Sequence, residues 1–468
     1  MQEHVLFVTG KLAEKSLRRV LESIRPTPFT WEVRQLGVSV AALMTTEMIG
    51  RRLDALAGVD RLIIPGRCRG DIAALSMQIG IPTERGPEEL KDLPAYFGKA
   101  GRPIDLSRFD IRIFAEIVDA PEREVDAIVS RAEYYRRNGA DVIDLGCLPS
   151  TPFPHLELAV HALKERGFQV SVDSLRTDDL LRGARAGADY LLSLNEDTLW
   201  VAAEVDATPI LIPRAPGDLN SLFRAIEACV SNNRACLADP VLDPIHAGFT
   251  ASLLRYHAVR ERYPEVEILM GIGNLTELTH ADSAGVNTVM LGIMSELGIR
   301  NLLTTEVSPH CRCAIREADL ARRIVYAARA EESPPRHIDD GLMALHERKP
   351  FPFSPQEIDE LAAAVKDRNY RIHASDQGIH LFNRDGIHLG DDPYALYPSI
   401  DVAGDVGHAF YLGVELARAQ IAVQLGKRYT QDEPLSWGCA VERAAEDITQ
   451  LKPLGPTLHT RKHSSKPV

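Results

Sequence analysis

A polar residue recurs at the end of short apolar runs along the middle of the chain. Asp141-Val-Ile-Asp-Leu-Gly146, Gln169-Val-Ser-Val-Asp-Ser174, Tyr190-Leu-Leu-Ser-Leu-Asn195 and Leu237-Ala-Asp-Pro240 all follow this pattern. Short apolar runs bounded by turn residues read as buried strands. Most are followed by a helix-like stretch, and the repeat falls every ~20–35 residues, the length of one βα unit. Closing such units into a barrel brings the C-terminal ends of all strands to one mouth, where sites on this fold are built. Asp144, Asp173, Asn195 and Asp239 then meet, although they are far apart in sequence. Carboxylates and an amide gathered there suit a ligand rich in N–H donors and ring nitrogens.

Eight strand candidates can be placed in order. The first is residues 111–118, and the next three are the first three runs above. Residues 209–213, 235–239, 267–271 and 288–292 complete the set. A closing helix is expected over 315–329. The fold class is therefore α/β, with a (β/α)8 TIM barrel over 108–330. Gly139-Ala-Asp141 and Gly187-Ala-Asp189 close two helix patterns, with glycine supplying a left-handed cap before the next strand.

The flanks differ from the barrel. Residues 1–100 alternate strand, helix, strand, helix, strand, which predicts a Rossmann-like, doubly wound parallel sheet. Thr45 or Thr46 is the expected N-cap of a helix over 45–57. Thr9-Gly10-Lys11 lacks the full phosphate-loop spacing. Gly66-Arg67-Cys68-Arg69-Gly70 reads either as an anion site at a strand-to-helix turn or as an exposed basic turn. Residues 84–105 are rich in Pro, Gly and charge and read as a linker. A second linker precedes a small α+β domain over 350–460. There Ser354-Pro-Gln-Glu357 opens a helix with a capping box. Asn383-Arg-Asp-Gly386 joins two strands, and a last helix covers 409–425. His373, His380, His388 and His408 share this domain, but without a known ligand spacing, so no metal site is read there. Asp391-Asp-Pro-Tyr-Ala-Leu-Tyr397 reads as a ligand-covering loop or a plain surface loop. The tail over 461–468 is expected to be disordered.

At 468 residues the chain is too long for one core, and two or three domains are expected. A formal charge of −13 argues against a nucleic-acid binder, whose affinity rests on basic surface. No signal peptide and no apolar run of ~18 residues is found, which predicts no membrane span. The seven cysteines are scattered, as expected for reduced thiols in a cytoplasmic protein.

The strand-end motifs resemble those of a known family. Asp141-Val-Ile-Asp-Leu-Gly146 is similar to the second strand of dihydropteroate synthases, and Ser171-Val-Asp-Ser174 to the third. Asn195 falls where their fourth strand ends in Asn, and Leu237-Ala-Asp-Pro240 resembles their sixth-strand Leu-Asp-Pro. Gly271-Ile-Gly-Asn274 is closer to the seventh strand of pterin-dependent corrinoid methyltransferases. With its flanking domains, the chain looks like the archaeal-type dihydropteroate synthase-related proteins of tetrahydromethanopterin biosynthesis.

The resemblance implies a pterin pocket lined by Asp173, Asn195, Asp239, Asn274 and Asp144. Asp144, which sits earlier on its strand, has the alternative reading of a hydrogen-bonded core carboxylate. The family's reaction displaces pyrophosphate from a pterin methylene by an arylamine, with Mg²⁺ beside the diphosphate. The implied partners are a dihydropterin methyl diphosphate, a ribosyl-phosphate arylamine and a second copy in a homodimer.

The sequence also departs from the family. Glu116-Ile-Val-Asp-Ala-Pro121 replaces the first loop, and Gly146-Cys-Leu-Pro-Ser-Thr-Pro152 replaces the Gly-Glu-Ser-Thr-Arg loop. Asn274 stands for the seventh-strand Lys, and Ser308-Pro-His310 is all that remains of the final Arg-x-His. Arg214, His310 and Arg312, or Arg67 and Arg69, are the candidates to replace that anion-binding charge. Three readings follow: a synthase-like transferase, a non-catalytic pterin carrier or scaffold, and a methyltransferase component that needs a separate corrinoid protein.

Overall fold

In a computed structural model, residues 2–442 are described except 55, 101–103, 149–150, 348 and 403. The chain divides into two compact units, Met1–Asp339 and Asp340–Val468.

The first unit opens with a four-stranded parallel sheet: β1 (Glu3–Thr9), β2 (Phe29–Gln35), β3 (Arg61–Ile64) and β4 (Thr83–Arg85), in the order β2-β1-β3-β4. Strand β1 is apolar on both faces because both are covered. Leu6 and Val8 pack with Ile49 and Leu75, whereas Val5 and Phe7 pack with Leu17 and Leu21. Thr45 caps the helix Thr46–Arg52 by accepting the Met48 N–H. One correction concerns the expected linker from residue 84: Thr83–Arg85 is a strand. As the sheet's edge strand, β4 keeps its side chains half-buried, and polar residues are stable there.

The same unit contains a closed barrel of eight parallel strands: β5 (Arg112–Ile117), β6 (Val142–Gly146), β7 (Gln169–Asp173), β8 (Tyr190–Leu194), β9 (Thr208–Leu211), β10 (Leu237–Ala238), β11 (Glu267–Gly271) and β12 (Asn301–Thr305). Phe114, Val142, Tyr190, Leu192, Ile210, Leu237 and Leu269 fill it as one cluster. At the strand starts a polar layer closes the floor. Arg112 donates to Asn301 Oδ1 (3.0 Å) and Tyr190 OH (2.7 Å), and Asn301 donates to Glu267 Oε2 (3.1 Å).

The eighth strand corrects the sequence reading. Residues 288–292 lie inside the helix Ser283–Glu296, not on a strand. Ser283, Ala284, Asn287, Met290, Leu291 and Met294 are its buried positions, a helical period that the apolar run concealed. The true eighth strand, β12, pairs with β5 and closes the barrel.

The repeated Gly-Ala-Asp has a shared use. Gly139 and Gly187 turn the chain at φ of +107° and +104°, conformations that favour glycine. The aspartate two residues on then accepts the N–H of the second residue of a neighbouring strand: Ile113 for Asp141 and Val170 for Asp189.

The second unit holds an antiparallel sheet, β13 (Arg371–Ser375), β14 (Gly378–Asn383) and β15 (Gly386–Gly390). The helix Val406–Leu425 contributes Leu412 and Leu416 to a core with Ile372 and Leu381. The capping box at Ser354 and Glu357 is formed. His373 faces His380 across β13 and β14, and His380 bonds to Ser375 Oγ at 2.7 Å. These histidines do not form a group of three metal-ligating side chains among the described residues. The expected tail over 461–468, and this domain's last residues from 443, lie outside the described residues. Among the described residues no helix is long and apolar enough to cross a membrane.

Candidate binding site at the barrel mouth

Three adjacent barrel strands each place a carboxylate toward the mouth. In register, Glu116 on β5 pairs with Asp144 on β6, and Gly146 on β6 pairs with Asp173 on β7. One ligand atom from each of Glu116, Asp144 and Asp173 lies within 4.8 Å of the other two. Asp144 is fully buried, and neither of its oxygens has a hydrogen-bond partner. The hydrogen-bonded core carboxylate expected as one reading of Asp144 is therefore absent. Ser171, in register with Asp144, is also fully buried with an unpartnered hydroxyl. That hydroxyl lies near enough to favour the charged form of Asp144.

Burial and mutual repulsion set the charge state of this group. Burial first, then the charge of Glu116, pushes Asp144 up to about 8. Burial first, then Asp173 and Glu277, does the same to Glu116, also to about 8. Asp173 is held well above the usual carboxylate range by burial and by Asp144, against a hydrogen bond from Ser193. That bond, Ser193 Oγ to Asp173 Oδ1 at 3.1 Å, comes from a register shift in which Ser193 is an extra residue of β8.

Asp239 follows β10 on the far side of the mouth. Its Oδ1 accepts the Tyr256 hydroxyl at 2.6 Å and the Val241 N–H at 2.8 Å. Burial pushes it up to about 6 against these two bonds. Val241 adopts φ of +64°, which a β-branched residue rarely does. Asp239 holds its N–H, and Arg255 holds its carbonyl at 2.7 Å. Asp239 and Asp173 are close enough to repel.

The other expected residues are less free. Asn195 lies just past β8, where its Oδ1 accepts the N–H groups of Asp197 and Thr198. Its Nδ2 makes no hydrogen bond among the described residues. Asn274 is not at a strand end but on the short helix Gly273–Thr276, donating to the Leu242 carbonyl at 2.9 Å. Arg214 pairs with Glu196 at 3.3 Å, and His310 Nε2 contacts the Thr276 carbonyl at 3.1 Å. Arg312 is exposed, with no ion pair among the described residues. Arg67 pairs with Glu88 at 3.5 Å, and Arg69 is exposed in the first sheet's loops. Sequence reasoning missed Glu116 as a site residue. Its signal was position: it lies at the end of the first strand, as Asp173 ends the third.

Fold and site together define a (β/α)8-barrel protein with a cluster of carboxylates at its strand ends. Residues 3–88 match a family of unknown function (DUF6513). An uncharacterized protein of Methanocaldococcus jannaschii is 24% identical, with the alignment covering 92% of this chain and 98% of the relative. Among solved structures, Yersinia pestis dihydropteroate synthase with a sulfonamide drug is 19% identical, covering 48% of this chain and 96% of its own, at a TM-score of 0.38. Xanthomonas albilineans dihydropteroate synthase in complex with 7,8-dihydropteroate is 19% identical over 48% of this chain and 95% of its own, at 0.37. The 7,8-dihydropteroate synthase of Vibrio fischeri is 19% identical over 49% and 96%, at 0.37.

Proposed function

We propose that the barrel mouth binds a reduced pterin and that the protein is a dihydropteroate synthase-like transferase. The reaction would join a dihydropterin methyl diphosphate to a ribosyl-phosphate arylamine, in tetrahydromethanopterin biosynthesis. The arylamine nitrogen forms the new C–N bond as the methylene C–O bond breaks, and pyrophosphate leaves. The observation that carries the reading is the acceptor pair of partly exposed Asp173 and buried Asp239, which end two barrel strands close enough to repel, with Asn195 just past a strand between them in sequence. A pterin's amino-amide edge offers N–H donors to such carboxylates, and bidentate, charge-assisted bonds hold it strongly. Asp144 lies deeper and belongs to the same wall. The protein is read as cytoplasmic, and as a homodimer in line with the family it resembles. Mg²⁺ would accompany the diphosphate substrate.

A second reading, a pterin carrier or scaffold without turnover, is favoured by the state of the cations. Arg123, Arg176, Arg214 and Arg255, all on strand-end loops or the helices that follow them, are each paired with a carboxylate. Arg312, which follows β12 and makes no ion pair among the described residues, is a candidate cation for a departing diphosphate. The experiment is incubation of the protein with both substrates and Mg²⁺, followed by mass spectrometry. Condensed product supports the transferase. Pterin binding without product supports the carrier, and absence of both refutes the pterin reading.

A further inference from the structure

Glu116, Asp144 and Asp173 gather three carboxylates with no compensating cation among the described residues. Neither oxygen of Asp144 receives a hydrogen bond, and the Ser171 hydroxyl beside it is equally unpartnered. Like charges this close repel strongly where little water screens them. An isolated buried carboxylate therefore requires a counter-charge or a proton. The backbone makes room for the set. A Cβ on Gly146 would come within 2.8 Å of Glu116 Oε1, so glycine there lets the Glu116 side chain lie across β6. Glu116 and Asp173 remain partly exposed, so the wall opens to the mouth.

We propose that Glu116, Asp144 and Asp173, with the Ser171 hydroxyl, bind one divalent cation inside the barrel wall. All four groups offer oxygen, which selects hard ions such as Mg²⁺ or Mn²⁺ over softer ones. Ligands around an ion bound at ~2.1 Å lie about 3.0 Å apart when adjacent and about 4.2 Å when opposite, within the spread of this cluster. One proton neutralises one carboxylate, whereas one divalent ion compensates two and contacts all three. The site is held by the protein alone and does not depend on a pterin or a diphosphate. Asp173 has one oxygen committed to Ser193, and its other oxygen is shared between the two sites. The bound cation would supply, beside the mouth, positive charge that the paired arginines do not.

The test uses the full chain stripped with EDTA and titrated with Mn²⁺ by calorimetry and electron paramagnetic resonance, with no pterin present. One saturable Mn²⁺ per chain, displaced by Mg²⁺, is expected. Asp144→Asn and Glu116→Gln should each weaken it by roughly tenfold or more, because affinity for such ions follows the count of charged ligands. Gly146→Ala should weaken it while keeping every carboxylate. If Asp144→Asn does not fold, the partly exposed Glu116→Gln gives the answer. No saturable binding to the folded wild-type chain overturns the proposal. So does binding of unchanged affinity in Glu116→Gln and Gly146→Ala. Pterin titration of the EDTA-treated protein is read separately, so failure of one site does not decide the other.

Discussion

Tyr256 donates its hydroxyl proton to Asp239 over 2.6 Å, and both side chains are buried. The tyrosine comes from the helix Phe249–Arg262 and the aspartate from the end of β10. The bond fixes one oxygen of the acid, leaving the other for a ligand. A hydrogen bond to a buried charged group contributes roughly 1.5–3 kcal/mol. Tyr256→Phe should therefore lower unfolding free energy by about 2 kcal/mol in urea melts. It should also weaken pterin binding, because Asp239 loses a bond that favours its charged form. Unchanged stability and affinity would show that the contact does not anchor the acid.

Glu306 follows the last barrel strand and is buried beside Arg131, at 3.9 Å. It accepts the Ile315 N–H and feels Arg316 and Glu317. Burial outweighs its favourable partners and pushes it from 4.5 up to about 7. The folded state therefore holds its proton more tightly than the unfolded chain. Its contribution to stability is full below pH 4.5, falls as pH rises toward 7, and is constant above that. The loss amounts to about 3 kcal/mol. Relative to Glu306→Gln, the wild type should lose stability as pH rises through that window in chemical denaturation. A difference that does not vary with pH would contradict this.

Arg322 anchors the strand starts, at the opposite end of the barrel from the site, and it is 1% exposed. It donates to the carbonyls of Ile111 and Gly139, pairs with Asp141 and Asp319, and stacks over the Phe109 ring at 3.6 Å. Removing one partner of a buried ion pair costs about 3–5 kcal/mol. Arg322→Met should lower stability by about 3 kcal/mol or more, with pterin affinity per folded molecule unchanged. A loss below about 1 kcal/mol would place the arginine among surface-like pairs.

The central site was legible where strand and ligand demands coincide. Ser171-Val-Asp-Ser174 alternates as a strand and ends in polar residues, and the structure places Asp173 at the mouth. The eighth strand was not legible. Residues 288–292 combine Val, Met and Leu in a run that fits a strand or a buried helix equally, and only packing of the helix Ser283–Glu296 against its neighbours decides. The real strand, Asn301–Thr305, begins and ends in polar residues because it closes the polar floor and meets Glu116 on β5. Asn274 was misplaced for a related reason: β11 ends at Gly271, and the next residues turn into a short helix. Glu116 escaped notice because register across strands, which sets it beside Asp144, is a property of the closed sheet and not of local sequence.

Asn195 tests the division between loop anchor and ligand contact. Its Oδ1 is committed to the turn through Asp197 and Thr198. Asn195→Asp keeps that acceptor and replaces the Nδ2 donor with an oxygen. It should leave the melting temperature within about 2 °C, a shift that corresponds to less than ~1 kcal/mol in a chain of this size. Pterin affinity should fall by roughly tenfold, the effect of losing one donor in a buried polar site. Equal affinity in the two proteins would assign Asn195 to the turn alone.

The most direct test of the pterin pocket is calorimetric titration of a reduced 6-hydroxymethyl pterin into the wild type, Asp239→Ala and Asp173→Ala. One site per chain is expected in the wild type, with loss of measurable binding in both variants, each still folded by circular dichroism. Absence of binding to the folded wild type, or equal binding in all three proteins, would contradict a pterin pocket at the barrel mouth.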